Sequence, residues 1–169
     1  MIGLPIETER LRIRRFEPAA DAGPLHELWG DPEAMQYIPG TAKTSVEETR
    51  ERLERLSARR GWGFWALEER DGGRFVGGVG LFPLEDEGPE IELAYHVVPS
   101  AWNRGYASEA GAALLEAAWS ETDLDHVVAV AFQDNRASTR VMEKLGMTYE
   151  GPTRYRKHDL VRYSIARPR

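Results

Sequence analysis

Over residues 90–111 the apolar spacing of the chain changes from that of a strand to that of a helix, with one short turn between. Residues 91–98 alternate. Ile91, Leu93, Tyr95 and Val97 share one face, while Glu92, Ala94, His96 and Val98 share the other. Pro99 has no N–H for a further ladder bond and ends the strand. From Arg104 a helical period takes over, with Ala107, Ala110, Gly111, Leu114 and Ala118 on one side.

The start of that helix carries chemical information. The first N–H groups of a helix lack intrahelical partners and carry partial positive charge. Most helices meet them with a capping side chain and a first-turn acid. Here residues 103–108 contain no Asp or Glu but do contain Arg104, and Gly105 and Ala107 let another group approach the backbone. Such a terminus suits an anion, above all a phosphate or pyrophosphate. The residues alone leave a second reading open, in which Asn103 caps an ordinary helix and Gly105 serves close contact between elements.

Bulk properties narrow the class. The chain has 169 residues, enough for one domain over 1–169 with a core of its own. Without cysteine there is no disulfide, thiolate metal site or cysteine nucleophile, and the four histidines at 26, 96, 126 and 158 show no metal spacing. A net charge of −6 disfavours nonspecific nucleic-acid or anionic-membrane binding. No apolar run approaches a membrane span, and no signal-peptide h-region is seen, so a cytoplasmic location is expected. Residues 154–169 are basic (Arg154, Arg156, Lys157, Arg162, Arg167 and Arg169 against Asp159), either as a solvated hairpin and tail or as a rim for a ligand phosphate or an acidic partner.

In order, the chain reads as a strand over 8–16, a helix over 21–30, loop over 31–44 with a turn at Tyr37-Ile38-Pro39-Gly40, and a helix from the capping box Ser45–Glu48 to about 60. Strands 63–69 and 74–82 follow, joined by Asp71-Gly72-Gly73, then an acidic loop over 83–88 and the strand and helix already described. A continuously apolar strand at 126–132, a helix at 135–145 closed by Gly146, and two last strands at about 147–154 and 157–166 complete it. Antiparallel strands first and β-α-β-α-β after them give an α+β domain: a mixed, mostly antiparallel sheet of about six to seven strands with about four helices.

The segment Trp102-Asn-Arg-Gly-Tyr-Ala107 resembles the acetyl-CoA pyrophosphate loop of the GNAT N-acetyltransferases, with Trp102 where that family has Gln or Arg. The segment from Asn135 to Gly146, with Ser138 and Glu143-Lys-Leu-Gly146, is similar to the family's Asn-x-x-Ser/Ala helix, and the element order matches the GNAT fold along the whole length. Both the Trp at 102 and the Glu-Arg-Leu-Arg-Ile-Arg wording of the first strand look like the Rim-type (RimJ/RimL-like) branch. The resemblance implies an acetyl-CoA-dependent N-acetyltransferase with an amine acceptor, without a metal, in a family whose members often form homodimers. It further implies pantetheine contacts to the backbone of His96, Val97 and Val98 and to Asn135. Pyrophosphate contacts are implied over Asn103, Arg104, Gly105, Tyr106, Ala107 and Ser108, with the Arg104 side chain adding charge.

For catalysis the family's tyrosine acid falls at Met142, which cannot donate a proton, so Ser138 is the expected acid, as in Rim-type relatives. Glu92 is the expected base and His96 the alternative; Glu92 also reads as a plain solvent-facing strand residue. The hairpin glutamate of some Rim-type enzymes has no counterpart in Tyr155-Arg156-Lys157-His158. Trp29, Tyr37, Trp62, Phe64 and Trp65 are candidates for an acceptor pocket or for core. The competing function is an idle acyl-CoA-binding or sensor domain, for which the missing tyrosine speaks.

Overall fold

Leu11 and Ile13 are wholly buried with exposed Arg12 between them, the alternation expected of a strand that covers a core on one side. In the computed structural model, which describes residues 2–38, 40, 42–58, 61–86, 88–155 and 157–168, this strand is β2 (Leu11–Arg14). It pairs with a short β1 (Ile6–Glu7) that the sequence did not disclose. The meander continues through β3 (Gly63–Glu69), β4 (Phe75–Pro83) and β5 (Ile91–Val97), and the second half supplies β6 (His126–Ala131), β7 (Thr148–Tyr155) and β8 (His158–Ala166). Among the described residues these form one eight-stranded sheet in the order β1-β2-β3-β4-β5-β6-β8-β7. That is one strand more than the upper expectation.

The helices are α1 (Pro18–Trp29), α2 (Pro32–Met35), α3 (Val46–Ser57), α4 (Tyr106–Glu121) and α5 (Arg136–Lys144). α2 lies in a stretch expected to be loop; Asp31 caps it through Glu33 N and Pro32 opens it. α1 starts three residues earlier than expected because Pro18 is accommodated in its first turn. Ser45 caps α3 through Glu48 N at 3.2 Å, but the Glu48 carboxylate accepts from Thr44 N at 2.8 Å, one residue outside the usual box. Of the expected boundaries and charges, Pro39, Arg60, Arg156 and Arg169 lie outside the described residues. Among the described residues no helix is long and apolar enough to cross a membrane.

α1 and α3 cover β4 and β3 on one face of the sheet; on the other α4 crosses β5, β4, β2 and β1, and α5 covers β6. The main core gathers Leu11, Ile13, Leu25, Leu53, Leu81, Leu93 and Leu114, and a second cluster (Ala129, Ala131, Met142, Met147, Val161, Tyr163) sits beside α5. The central seam is what positions a site. β4 and β5 stay in register from Gly77↔Val97 to Pro83↔Ile91, and β6 and β8 from His126↔Ala166 to Ala131↔Val161. The parallel neighbours β5 and β6, by contrast, share only the bridge Glu92↔Val128, and past it the two strands part.

Candidate active site

A cleft of ≈ 1110 Å³ occupies the parting. Because it passes through the sheet, side chains from both faces of β5 line it, including Glu92, Tyr95 and His96.

At one mouth lies the start of α4. Asn103 (φ 60) and Gly105 (φ 80) both take the left-handed conformation, so the helix begins at Tyr106 rather than at 104. Gly105 is the cap residue, and no side chain of the described residues bonds to the first N–H groups. The first-turn acid, Glu109, turns away: it accepts from Thr8 Oγ1 at 2.6 Å and from Arg10 N and Nε at 2.9 and 2.7 Å. The partial positive charge of Tyr106, Ala107 and Ser108 therefore faces the cleft, whose wall also includes Asn103 and Gly105. Trp102, half exposed, donates its indole N–H to the Val97 carbonyl at 2.6 Å and ties the loop to the end of β5.

Two expected contacts need correction. The Arg104 side chain does not line the cleft; it lies 3.6 Å from Glu69, and its carbonyl accepts from Arg10. Glu69 also accepts from Arg74 and Tyr106, and these contacts, Arg74 foremost, hold its carboxyl down at about 2. Such an ionised carboxylate draws Arg104 away. Val98 is 2% exposed, does not line the cleft, and donates its N–H to Val76 O at 3.0 Å.

Further in, Glu92 is 6% exposed and accepts from the Tyr155 hydroxyl at 3.1 Å, so it is not a solvent-facing residue. His96 stands among Trp29 and Phe64, and its Nδ1 accepts from the Trp29 indole N–H at 3.2 Å. Burial, with the nearby Arg52 charge, pushes its imidazole down to about 3. With Nδ1 serving as acceptor, the ring proton resides on Nε2. His96, a residue of the cleft wall, is thus held as a neutral imidazole and is unsuited to the role of base.

On the other face of β5, Tyr95 OH lies 2.9 Å from Ser138 Oγ and donates to Ser138 O at 3.0 Å. Asn135 caps α5 by accepting from Ser138 N at 3.1 Å, and the same side chain lines the cleft. Met142 is 1% exposed and built into the second cluster. Of the aromatic candidates, Trp29, Tyr37 and Phe64 line the cleft, whereas Trp62 and Trp65 do not. Among the described basic residues of the C-terminal stretch, Arg162 is held by Glu90 and Glu150, and Arg167 donates to the Thr122 carbonyl. No group of three or more His, Asp or Glu among the described residues could hold a metal.

Tyr95 and Tyr155 were not singled out from the sequence. Tyr95 was visible on the strand, but on the face opposite Glu92; only the parted seam brings both faces to one cleft. Tyr155 meets Glu92 across 63 positions of chain, a pairing without local signature.

Antiparallel strands followed by β-α-β-α-β, with the central parallel pair parted beside an uncapped helix, form the fold of an acetyltransferase. The profile described as "Acetyltransferase (GNAT) domain" matches residues 10–148. The uncharacterized N-acetyltransferase YoaA of Bacillus subtilis is 29% identical over 174 residues, 97% of either chain. A GNAT-family acetyltransferase structure from Bacillus anthracis superposes with a TM-score of 0.84 at 29% identity, covering 96% of this chain and 98% of that one. The ribosomal L7/L12 alpha-N-protein acetyltransferase RimL, solved with coenzyme A, shares the fold at 20% identity with a TM-score of 0.79, covering 96% and 98%. The chain belongs to the GNAT acetyltransferase family.

Proposed function

We propose that the chain, acting as one unit over residues 1–169, moves an acetyl group from acetyl-CoA to a primary amine by direct attack on the thioester. The observation that carries this reading is the parting of β5 from β6 beyond Glu92↔Val128, with uncapped N–H groups at one mouth and a buried carboxylate within. The N–H groups of Tyr106, Ala107 and Ser108 receive the pyrophosphate, in a turn shaped by Asn103 and Gly105. The backbone of His96 and Val97 and the Asn135 side chain border the path of the pantetheine arm.

In the reaction the amine nitrogen bonds to the acetyl carbon, the carbon–sulfur bond breaks, and the nitrogen gives up one proton. Glu92 takes that proton directly or through one water. A backbone N–H near Val97 stabilises the tetrahedral oxyanion, and the Ser138 hydroxyl faces the departing sulfur. The attacking amine must be neutral. An α-amine of pKa about 8 meets that condition far more cheaply than a lysine near 10.4, where about 4 kcal/mol is needed at pH 7.4. A protein N-terminus or a small amine of similar basicity is therefore the acceptor class. RimL, a ribosomal L7/L12 alpha-N-protein acetyltransferase that shares this fold, fits that class.

The test is acetyl-CoA turnover with a panel of amines, followed by release of free thiol. Amine-dependent release is expected, with Glu92→Gln lowering kcat by about 10²-fold. Met142 at the tyrosine position favours a second reading, an idle acyl-CoA sensor. Tight CoA binding with no amine-dependent release, and no effect of Glu92→Gln, would establish that one instead.

A further inference from the structure

Ser138 is an indifferent proton donor by itself, since an aliphatic hydroxyl holds its proton tightly and can point it in several directions. In this structure its surroundings limit those directions. The Tyr95 hydroxyl lies 2.9 Å from Ser138 Oγ and 3.0 Å from Ser138 O, so one phenol touches both oxygens of the same residue. Ser138 N is itself held by Asn135 Oδ1 at 3.1 Å. The backbone of the first turn of α5 is therefore pinned from both sides, and the cleft opens beside it.

A phenol has one hydrogen to give. When it goes to Ser138 O, the serine hydrogen can turn back onto the phenol oxygen. When it goes to Ser138 Oγ, the serine hydrogen is released toward the cleft and the serine oxygen is polarised by the bond it accepts. Burial raises the Tyr95 pKa, which keeps the phenol protonated at working pH. It can orient and strengthen Ser138 without surrendering its own proton.

Resting on the reading of Ser138 given above, we infer that Tyr95 is a positioning residue for the leaving group: it turns the Ser138 hydroxyl onto the departing sulfur and strengthens it as a donor. Ser138 lies one helical turn before Met142 on α5, and Tyr95 brings its hydroxyl to it from β5. The sulfur departs as a thiolate stabilised by the Ser138 hydrogen bond and is protonated afterwards by water, while the amine's proton leaves through Glu92. Tyr95 and Ser138 both keep their protons over the cycle. Donor-side chemistry lies on the α4–α5 face of β5, and Glu92 lies on the opposite face, so the two proton-handling groups are separated by the strand.

CoA itself is the probe, because its free thiol is the leaving group. The ultraviolet absorbance of the thiolate reports the pKa of bound CoA for the wild type, Tyr95→Phe, Ser138→Ala and the double variant. The wild type is expected to hold the bound thiol about one unit below the value of CoA free in the same buffer. Tyr95→Phe should recover at least half of that shift and Ser138→Ala all of it. Adding Tyr95→Phe to Ser138→Ala should change nothing further. CoA affinity at acid pH, where the thiol is neutral, should agree within about twofold across the four proteins, which also shows that each is folded. A Tyr95→Phe protein with the wild-type thiol pKa overturns the inference, as does an effect that adds in full to that of Ser138→Ala. A Ser138→Ala protein with the wild-type thiol pKa overturns the assignment of Ser138 itself, and wild-type protein that binds no CoA overturns the proposed activity.

Discussion

His96 is a histidine that the surrounding rings keep neutral. Trp29 donates to its Nδ1, Phe64 lies against it at 5.1 Å between ring centroids, and burial followed by the Arg52 charge lowers its pKa to about 3 from 6.5. The unfolded chain then binds a proton that the folded chain refuses throughout this interval. Stability is fully present above about pH 6.5 and falls as pH drops toward 3. Between about pH 6.5 and pH 5 the loss should be about 1.6 kcal/mol. His96→Gln, which keeps an acceptor for Trp29 but cannot titrate, should remove most of it, as urea midpoints at the two pH values would show. If the wild type and variant lose stability equally, His96 is not the group responsible.

Among elements, β4 constrains the site most. Its run Val76-Gly77-Gly78-Val79-Gly80 would be a weak strand on propensity, yet it occupies the middle of the sheet. Gly77 has φ 143, and a Cβ there would sit 2.0 Å from the His96 carbonyl. At Gly78 and Gly80 a Cβ would strike the Phe64 ring at 2.5 and 2.7 Å. The missing side chains thus let β5 approach closely and let Phe64 cover the strand, which in turn sets the aromatic surround of His96. Gly77→Ala is expected to cost about 3 kcal/mol in a denaturant titration and to weaken CoA binding, because β5 must shift. Gly23→Ala, within α1 and with no atom inside 4 Å of the new Cβ, is the matched control and should gain about 0.5–1 kcal/mol. A Gly77→Ala protein as stable as the wild type would show that β4 and β5 have slack this structure does not reveal.

For the whole molecule, the parted seam implies that ligand and stability are linked. The two strands beyond Glu92↔Val128 lack the ladder that joins their neighbours, and a pantetheine arm would supply hydrogen bonds in its place. CoA at about 100 times its Kd should stabilise the fold by about 2.7 kcal/mol and raise Tm by roughly 5–10 °C. Amide exchange should slow at 93–97 and 104–108, and stay unchanged in β1 and β2. An unaltered Tm, or protection confined to other segments, would place the ligand elsewhere or nowhere.

Neighbouring residues set much of this protein without reference to the rest of the chain. The strand-to-helix switch after Pro99, the Asn135 cap and the order of elements all depend on interactions a few positions apart, and periodicity reports those directly, whereas the outward turn of Glu109 depends on Thr8 and Arg10 about a hundred positions away. The site's inner partners are likewise far apart in the chain. Trp29 meets His96 across 67 positions, Tyr155 meets Glu92 across 63, and Tyr95 meets Ser138 across 43. Glu92, the expected base, is therefore a buried carboxylate rather than a residue on an open strand face, His96 is a neutral imidazole held by Trp29, and the Arg104 side chain lies beside Glu69. Each change follows from where β3, β5 and the last hairpin meet, and burial and charge at such a meeting are properties of the assembled sheet, which no local run of residues contains.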